Sequence, residues 1–459
     1  MKALGNKWLL RGQRIVFPDA VRPAMLQIEG ERITDILPID HENPSGLVVL
    51  DAGNLAVLPG LVDTHAHINE PGRTDWEGFV TATRACAAGG ITTVVDMPLN
   101  SIPATTTLSA LQIKRQSARG QCQIDYGFWG GVVPGNRDEL SAMVDAGALG
   151  FKAFMCESGV DEFPASSLTD LEQAMHVLRE KGVPLLVHAE LEGPAPRVED
   201  GDVRSYESYL RSRPREFENR AIAALLPLLR RTACRTHVVH LSSSDALSLL
   251  AQARDEGLPL SAETCPHYLS LCAEDVPSGA TWFKCAPPIR ERMNNERLWL
   301  ALKSGDIDFV VSDHSPCTPG LKHMERGDFA RAWGGISSIQ FSLPVVWSGL
   351  HTRGMSISDL VRLMCQNTAR FAGLAHRKGS IAVGKDADLV LFDDTREYVL
   401  SAETIQHRHK VTPYLGRALC GRVQVTILRG RVIYEEGNFP TPPTGREVGT
   451  KLSQGMQSE

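Results

Sequence analysis

Two histidines separated by one residue, His65 and His67 in Val62-Asp63-Thr64-His65-Ala66-His67, close a short apolar run. In an extended strand, residues i and i+2 point to the same side, so two imidazoles emerge together there. Ligand-type side chains close four other apolar runs: Lys152 in Gly150-Phe151-Lys152-Ala153-Phe154, His188 after Leu185-Leu186-Val187, His240 in His237-Val238-Val239-His240, and Asp313 in Val311-Ser312-Asp313-His314. Neutral imidazole and carboxylate suit Zn²⁺ and similar divalent metals, with Co²⁺, Mn²⁺ or Fe²⁺ as alternatives. Four histidines, one aspartate and one lysine are too many for one tetrahedral ion with an open position, so two metals sharing a bridging group fit better. An amine cannot bridge two cations. A lysine that has reacted with CO₂ to give a carbamate can, which also accounts for a lysine among apolar neighbours, where an unpaired charge is costly. Other histidines, such as His41, His176, His351 and His376, read as surface residues.

For these side chains to meet, the runs that carry them must lie side by side with their C-terminal ends together. Candidate strands fall at 60–64, 91–97, 124–132, 150–154, 184–188, 236–240, 258–263 and 308–312. Most are continuous Val, Ile, Leu or Phe runs with little alternation, as in parallel strands covered on both faces. Candidate helices at 82–88, 108–119, 138–146, 170–181, 246–256 and 293–304 each run into glycine, whose left-handed conformation closes a last turn; the helix at 219–232 alone lacks one. Eight strand–crossover units predict an α/β chain with a (β/α)₈ TIM-like barrel over 59–377, whose sites lie at the C-terminal strand ends. An open doubly wound sheet would want a glycine-rich phosphate loop, and neither GxGxxG nor GxxxxGK[ST] is present. Segments 1–58 and 378–440 read as short strands with polar turns and predict one small β-sandwich formed from both ends, against the alternative of two unrelated β extensions. Residues 441–459 read as a polar tail.

The chain has 459 residues with 48 Lys plus Arg and 54 Asp plus Glu, a net charge of −6. That balance, without a long basic run, argues against a nucleic-acid partner or a polybasic membrane anchor. At 42% hydrophobic and 22% charged residues, the composition excludes extensive disorder. No stretch approaches ~18 uninterrupted apolar residues, and no apolar signal core follows the N-terminus, which predicts a cytoplasmic protein. The ten cysteines are scattered without a CxxC pair, in keeping with reduced thiols.

His65-Ala66-His67, Lys152, His188, His240 and Asp313, with Leu58-Pro59-Gly60-Leu61-Val62-Asp63 before them and Gly379-Ser380-Ile381-Ala382-Val383-Gly384-Lys385-Asp386-Ala387-Asp388 after the barrel, resemble the amidohydrolase superfamily in its cyclic-amidase branch. That branch holds dihydroorotases, hydantoinases (dihydropyrimidinases) and allantoinases, and the likeness runs from about Leu9 to Pro440. It implies that His65, His67, carbamylated Lys152 (N6-carboxylysine) and Asp313 hold one metal, while the carbamate, His188 and His240 hold the second. His237, on the opposite strand face from His240, is placed in the wall. The likeness also implies hydrolysis of a cyclic amide or imide by a hydroxide bridging the two metals, with Asp313 as the catalytic proton carrier, and a homotetramer.

Substrate choice rests on the other positions. Dihydroorotases resemble one another in an Arg two residues after the second His that clamps a carboxylate; here it is Asn69, and a neutral amide cannot replace a bidentate cation. Arg73 is a substitute only beyond a Pro-Gly turn. Hydantoinases place a Tyr five residues after the bridging Lys; here it is Glu157. Segments such as Asn69-Glu70-Pro71-Gly72-Arg73, Met97-Pro98-Leu99-Asn100-Ser101, Glu263-Thr264-Cys265-Pro266-His267-Tyr268 and Ala332-Trp333-Gly334-Gly335-Ile336 are similar instead to the allantoinase group. The implied substrate is a small neutral cyclic ureide, the hydantoin ring of allantoin. Asn100, Cys285 and Gly335 are its candidate contacts, and Cys317 is wall. A hydantoinase or dihydropyrimidinase is the alternative, with dihydroorotase less favoured. A scaffold relative would lack a metal ligand, and none is missing.

Overall fold

The computed structural model describes residues 4–43 and 46–449. Parallel strands Leu61–Ala66, Ile91–Asp96 and Asp125–Phe128 form one sheet, and a six-stranded sheet runs from Gly130–Gly131 through Phe151–Phe154, Leu185–His188, Thr236–Val238 and Leu260–Thr264 to Phe309–Val310. Asp125–Phe128 and Gly130–Gly131 are one strand interrupted at Trp129, so the two sheets supply eight barrel strands. A parallel bridge between Ala66 and His314 closes the circle, and the His67 N–H donates to the His314 carbonyl at 2.7 Å. All these strands are buried along their length apart from Leu260 and Ser261, which are half-buried, and most of them read as apolar runs for that reason.

The crossover helices end as their glycines predict: Gly182 and Gly305 sit left-handed past Leu168–Lys181 and Arg292–Ser304. The helix without a glycine, Arg215–Thr232, ends the same way with Ala233 at φ +51° and its N–H on the Leu229 carbonyl. An alanine there accepts a conformation that costs an L-residue ~1 kcal/mol. No helix among the described residues is long and apolar enough to cross a membrane.

Strands from both ends share one eight-stranded sheet in the order Arg431–Glu435, Ala418–Leu428, Leu389–Val399, Ala56–Pro59, Lys7–Val16, Val21–Glu29, Arg32–Leu37, with Val49–Asp51 also beside Lys7–Val16. Its own core joins Trp8, Leu10, Ile15 and Leu26 to Leu389, Leu391, Val425 and Ile427. The chain passes from this sheet into the barrel at Gly60, where a Cβ would lie 2.1 Å from Thr92 Oγ1, so only glycine allows that approach. Of the polar tail, residues up to 449 lie against the third barrel strand: Glu447 pairs with Arg115 at 2.6 Å, and the Val448 N–H donates to the Tyr126 carbonyl. Residues 450–459 lie outside the described residues.

A buried charge cluster ties the two parts together. Lys378 Nζ contacts Asp125 (2.6 Å), Asp388 (2.7 Å) and Asp386 (3.0 Å), and Arg429 also pairs with Asp125. Burial works to lower the Lys378 amine, yet the three carboxylates hold it above its ordinary value. Lys378→Met leaves those carboxylates underpaired, with an expected loss of about 3–5 kcal/mol in reversible denaturant unfolding. A loss under about 1 kcal/mol would show that the amine is dispensable, like an exposed pair.

Candidate active site

The ligand-type side chains converge at the C-terminal mouth of the barrel. His65 Nε2 lies 3.2 Å and His67 Nε2 3.6 Å from Asp313 Oδ1. The His65 ring centroid is 5.4 Å from that of His240, and His240 is 4.5 Å from His188. Lys152 projects into the same space from the fourth strand, with its Nζ 5.1 Å from the Phe154 ring centroid, and the Phe154 ring stacks on His188 at 4.3 Å. His65, His67 and Asp313 form a group whose ligand atoms lie within 4.8 Å of one another, close enough to hold a metal ion.

Every one of these side chains is buried. Burial, and the Lys152 charge, push His65 well below its ordinary value; His188 and His240 are lowered by burial too. The three are therefore neutral imidazoles with a lone pair free, the form that ligates metal. His65 Nε2, His188 Nδ1 and His240 Nδ1 are buried without a hydrogen bond, His65 Nε2 facing only the Asp313 carboxylate, which is costly unless another ligand takes them up. Burial also brings the Lys152 amine down to about 8. Three of the seven non-glycine residues with positive φ among those described lie here: Asn100 (+71°), His240 (+41°) and Asp313 (+43°). Such backbone costs roughly 1–3 kcal/mol each and persists where the surroundings hold it.

The tautomers are set from behind. His65 Nδ1 pairs with Glu263, and His188 Nε2 with Glu190 at 2.7 Å. Both are buried carboxylates that turn the opposite nitrogen toward the cluster. His237 shares Glu263: its Nε2 lies 3.1 Å from Oε2, and its Nδ1 lies 2.7 Å from Ser261 Oγ. Both nitrogens are occupied, so His237 stays outside the ligand cluster. The parity argument does not explain this alone, because the strand ends at Val238 and the chain turns at His240. Glu263 was visible as a Glu on a strand that ends at the barrel mouth, and Glu190 as one two residues past the strand that ends at His188. Their role as braces was not assigned from sequence.

The cluster opens onto a cavity of about 320 Å³. Asn100, Cys285, Gly335 and Glu157 all line it. Asn100 Nδ2 lies 3.4 Å from His67 Nδ1, and its buried Oδ1 has no partner. The Cys285 carbonyl accepts from Tyr209 Oη at 2.7 Å. The Gly335 N–H donates to the Lys284 carbonyl at 2.8 Å, and its carbonyl accepts from buried Lys322, so its main chain is largely spent on the wall. A Cβ at Gly335 would lie 2.2 Å from the Ser315 carbonyl oxygen. Arg73, the substitute carboxylate clamp, instead pairs with Glu162 and donates to the Asn100 carbonyl at 3.1 Å, away from the cavity lining. Asn69 is also outside the lining, with Nδ2 on the Pro316 carbonyl at 3.2 Å. Cys317 is buried and does not line the cavity.

A closed eight-strand barrel, a sheet built from both chain ends, and imidazoles with a carboxylate able to hold a metal ion at the mouth are the architecture of a hydrolase of the amidohydrolase kind. The family model described as the amidohydrolase family matches residues 56–433, and the chain belongs to that family. Among curated proteins, it is 50% identical to the allantoinase of Streptomyces avermitilis over 438 residues, covering 95% of this chain and 97% of that protein. It is 48% identical to the allantoinase of Saccharomyces cerevisiae, covering 83% of each. Among solved structures, the L-hydantoinase (dihydropyrimidinase) of Arthrobacter aurescens superposes with a TM-score of 0.90 at 31% identity, covering 96% of this chain and 99% of that one.

Proposed function

We propose that this chain is an allantoinase, opening the hydantoin ring of allantoin by hydrolysis of a ring amide to give allantoate. The observation that carries the reading is the near full-length likeness to allantoinases, 50% identity over 95% of the chain. Asn69 and Glu157, where dihydroorotases and hydantoinases carry Arg and Tyr, point the same way.

Two divalent ions fit the residues present, since three buried imidazole nitrogens that make no hydrogen bond surround a carboxylate and a lysine. His65, His67 and Asp313 would hold one ion, His188 and His240 the other, and Lys152, as its carbamate, both; Zn²⁺ is the default, with Co²⁺, Mn²⁺ or Fe²⁺ able to substitute. When bound, such ions polarise the scissile carbonyl and lower the pKa of water from 15.7 towards ~7. An amine lowered to about 8 is more often neutral near pH 7 than an ordinary lysine, and the neutral amine is the form that adds CO₂. Asp313, at the cavity wall, takes the proton released during attack and passes it to the leaving ring nitrogen. Asn100 offers its unpartnered Oδ1 to a ring N–H. Cys285 and Gly335 bound the ring by close packing at the cavity wall. The reading extends to a cytoplasmic homotetramer and to functional limits of 59–377 for the barrel, 1–58 with 378–440 for the β-sandwich, and 441–459 for the tail.

The test is turnover of allantoin, hydantoin, dihydrouracil and dihydroorotate at equal concentration, with metal content measured on the same sample. Allantoin is expected to be the preferred substrate, with about two metals per chain. Preference for dihydrouracil or hydantoin would move the chain to the hydantoinases.

A further inference from the structure

Arg213 occupies the break between helices Tyr206–Ser212 and Arg215–Thr232 and lines the cavity. Its Nε and Nη2 make a two-point pair with Glu190, at 3.2 and 2.6 Å, and Nη2 lies 4.0 Å from Cys156 Sγ. Glu190 is fully buried, and burial works to raise its carboxyl. Arg213 and His188 nonetheless hold it well below the usual carboxylate range. The Arg213 backbone is clamped as well: its carbonyl accepts from Arg290 Nη1 at 2.7 Å, and Arg290 pairs with buried Glu218 at 3.1 Å. Among the described residues Nη1 makes no hydrogen bond, while the side chain keeps 21% of its surface exposed. The cavity thus has a guanidinium locked along one edge, with the donors of its last nitrogen unspent.

The geometry points to Arg213 as the residue that selects substrates by their arm, its Nη1 donating to the carbonyl oxygen of the ureido group carried by the ring. This rests on the reading that the substrate is allantoin, and it adds which group distinguishes that ring from an unsubstituted one. A urea carbonyl is a strong acceptor that an alkyl arm lacks. A donor already fixed by Glu190 loses little freedom on binding it, so the contact adds to affinity. The main competing role, positioning His188 through Glu190, acts on every ring substrate alike. The arm contact acts only on substrates that carry the ureido group.

Arg213→Lys separates the two, because a lysine keeps a cation for Glu190 but has no second edge to present. In metal-loaded enzyme, the KM for allantoin is expected to rise about ten- to hundred-fold, the worth of a hydrogen bond to a charged group. The inhibition constant of unsubstituted hydantoin, read as a competitor of allantoin hydrolysis, is expected to stay within about twofold, with metal content unchanged. Equal weakening of both ligands overturns the assignment and leaves only positioning. A second measurement needs no variant: 5-propylhydantoin, whose arm has similar length but no carbonyl, should bind wild type at least about tenfold more weakly than allantoin. Binding within about twofold of allantoin would overturn the inference even if Arg213→Lys failed to fold. Absence of allantoin turnover in the wild type would remove the substrate reading itself. Turnover without discrimination of the arm removes only this inference.

Discussion

Lys152→Ala is expected to lower kcat/KM for allantoin by ~10⁴-fold or more, the scale seen when one member of a catalytic unit is deleted. The expectation follows from its position. Lys152 is fully buried, its strand lies between the one ending at Gly131 and the one ending at His188, and its amine is brought to about 8. A lysine that served only packing would gain from an ordinary partner at its head. Here the head group lies over the Phe154 ring, and the charges that act to restore the amine are Asp313 and Glu263. If the carbamate bridges two ions, alanine removes a ligand from both, and metal content should fall along with activity. Formate, acetate or propionate, added at tens of millimolar, should restore part of each by supplying a carboxylate in the space vacated. Full activity with both metals in the alanine variant would refute the bridging role.

The second large effect is Asp313→Asn, with an expected fall in kcat of ~10²–10⁴-fold, the range of a lost proton carrier. Asparagine keeps the shape and one carbonyl oxygen, so the contact near His65 Nε2, 3.2 Å from Asp313 Oδ1, need not vanish. It cannot take up a proton. The loss should therefore fall on kcat with KM nearly constant, as for an interaction used only in the transition state. Metal analysis on the same sample separates this from ligand loss: kcat within tenfold of wild type at full metal content would leave Asp313 with no part in proton transfer.

Much of this site was legible because barrel geometry converts strand position into spatial position. His65, Lys152, His188, His240 and Asp313 are spread along the chain from position 65 to position 313, yet each closes an apolar run, and parallel strands bring those ends to one mouth. Helix ends were legible where glycine marked them and silent at Ala233, where surrounding packing holds alanine left-handed. The bracing shell was harder to read. Glu263 lies on a readable strand end and Glu190 just past another, but what a carboxylate faces depends on side-chain direction across neighbouring strands. Arg213 carried no periodic signal at all, since it sits where one helix breaks before Pro214. His237 shows the limit of counting by twos: parity holds only while the strand lasts, and this one ends at Val238.

The interleaved sheet has a consequence for how the chain is made. Strand Ala56–Pro59 pairs on one side with Lys7–Val16 and on the other with Leu389–Val399, in register from Leu389 opposite Pro59 to Phe392 opposite Ala56. During synthesis, the second side of that fully buried strand stays without its partner until the ribosome has delivered the whole barrel. Contacts of such sequence separation are slow to close, and an apolar strand edge left open meanwhile invites pairing between nascent chains. Premature termination after the barrel would leave that edge bare, so quality of expression should depend on the last strands as much as on the catalytic ones.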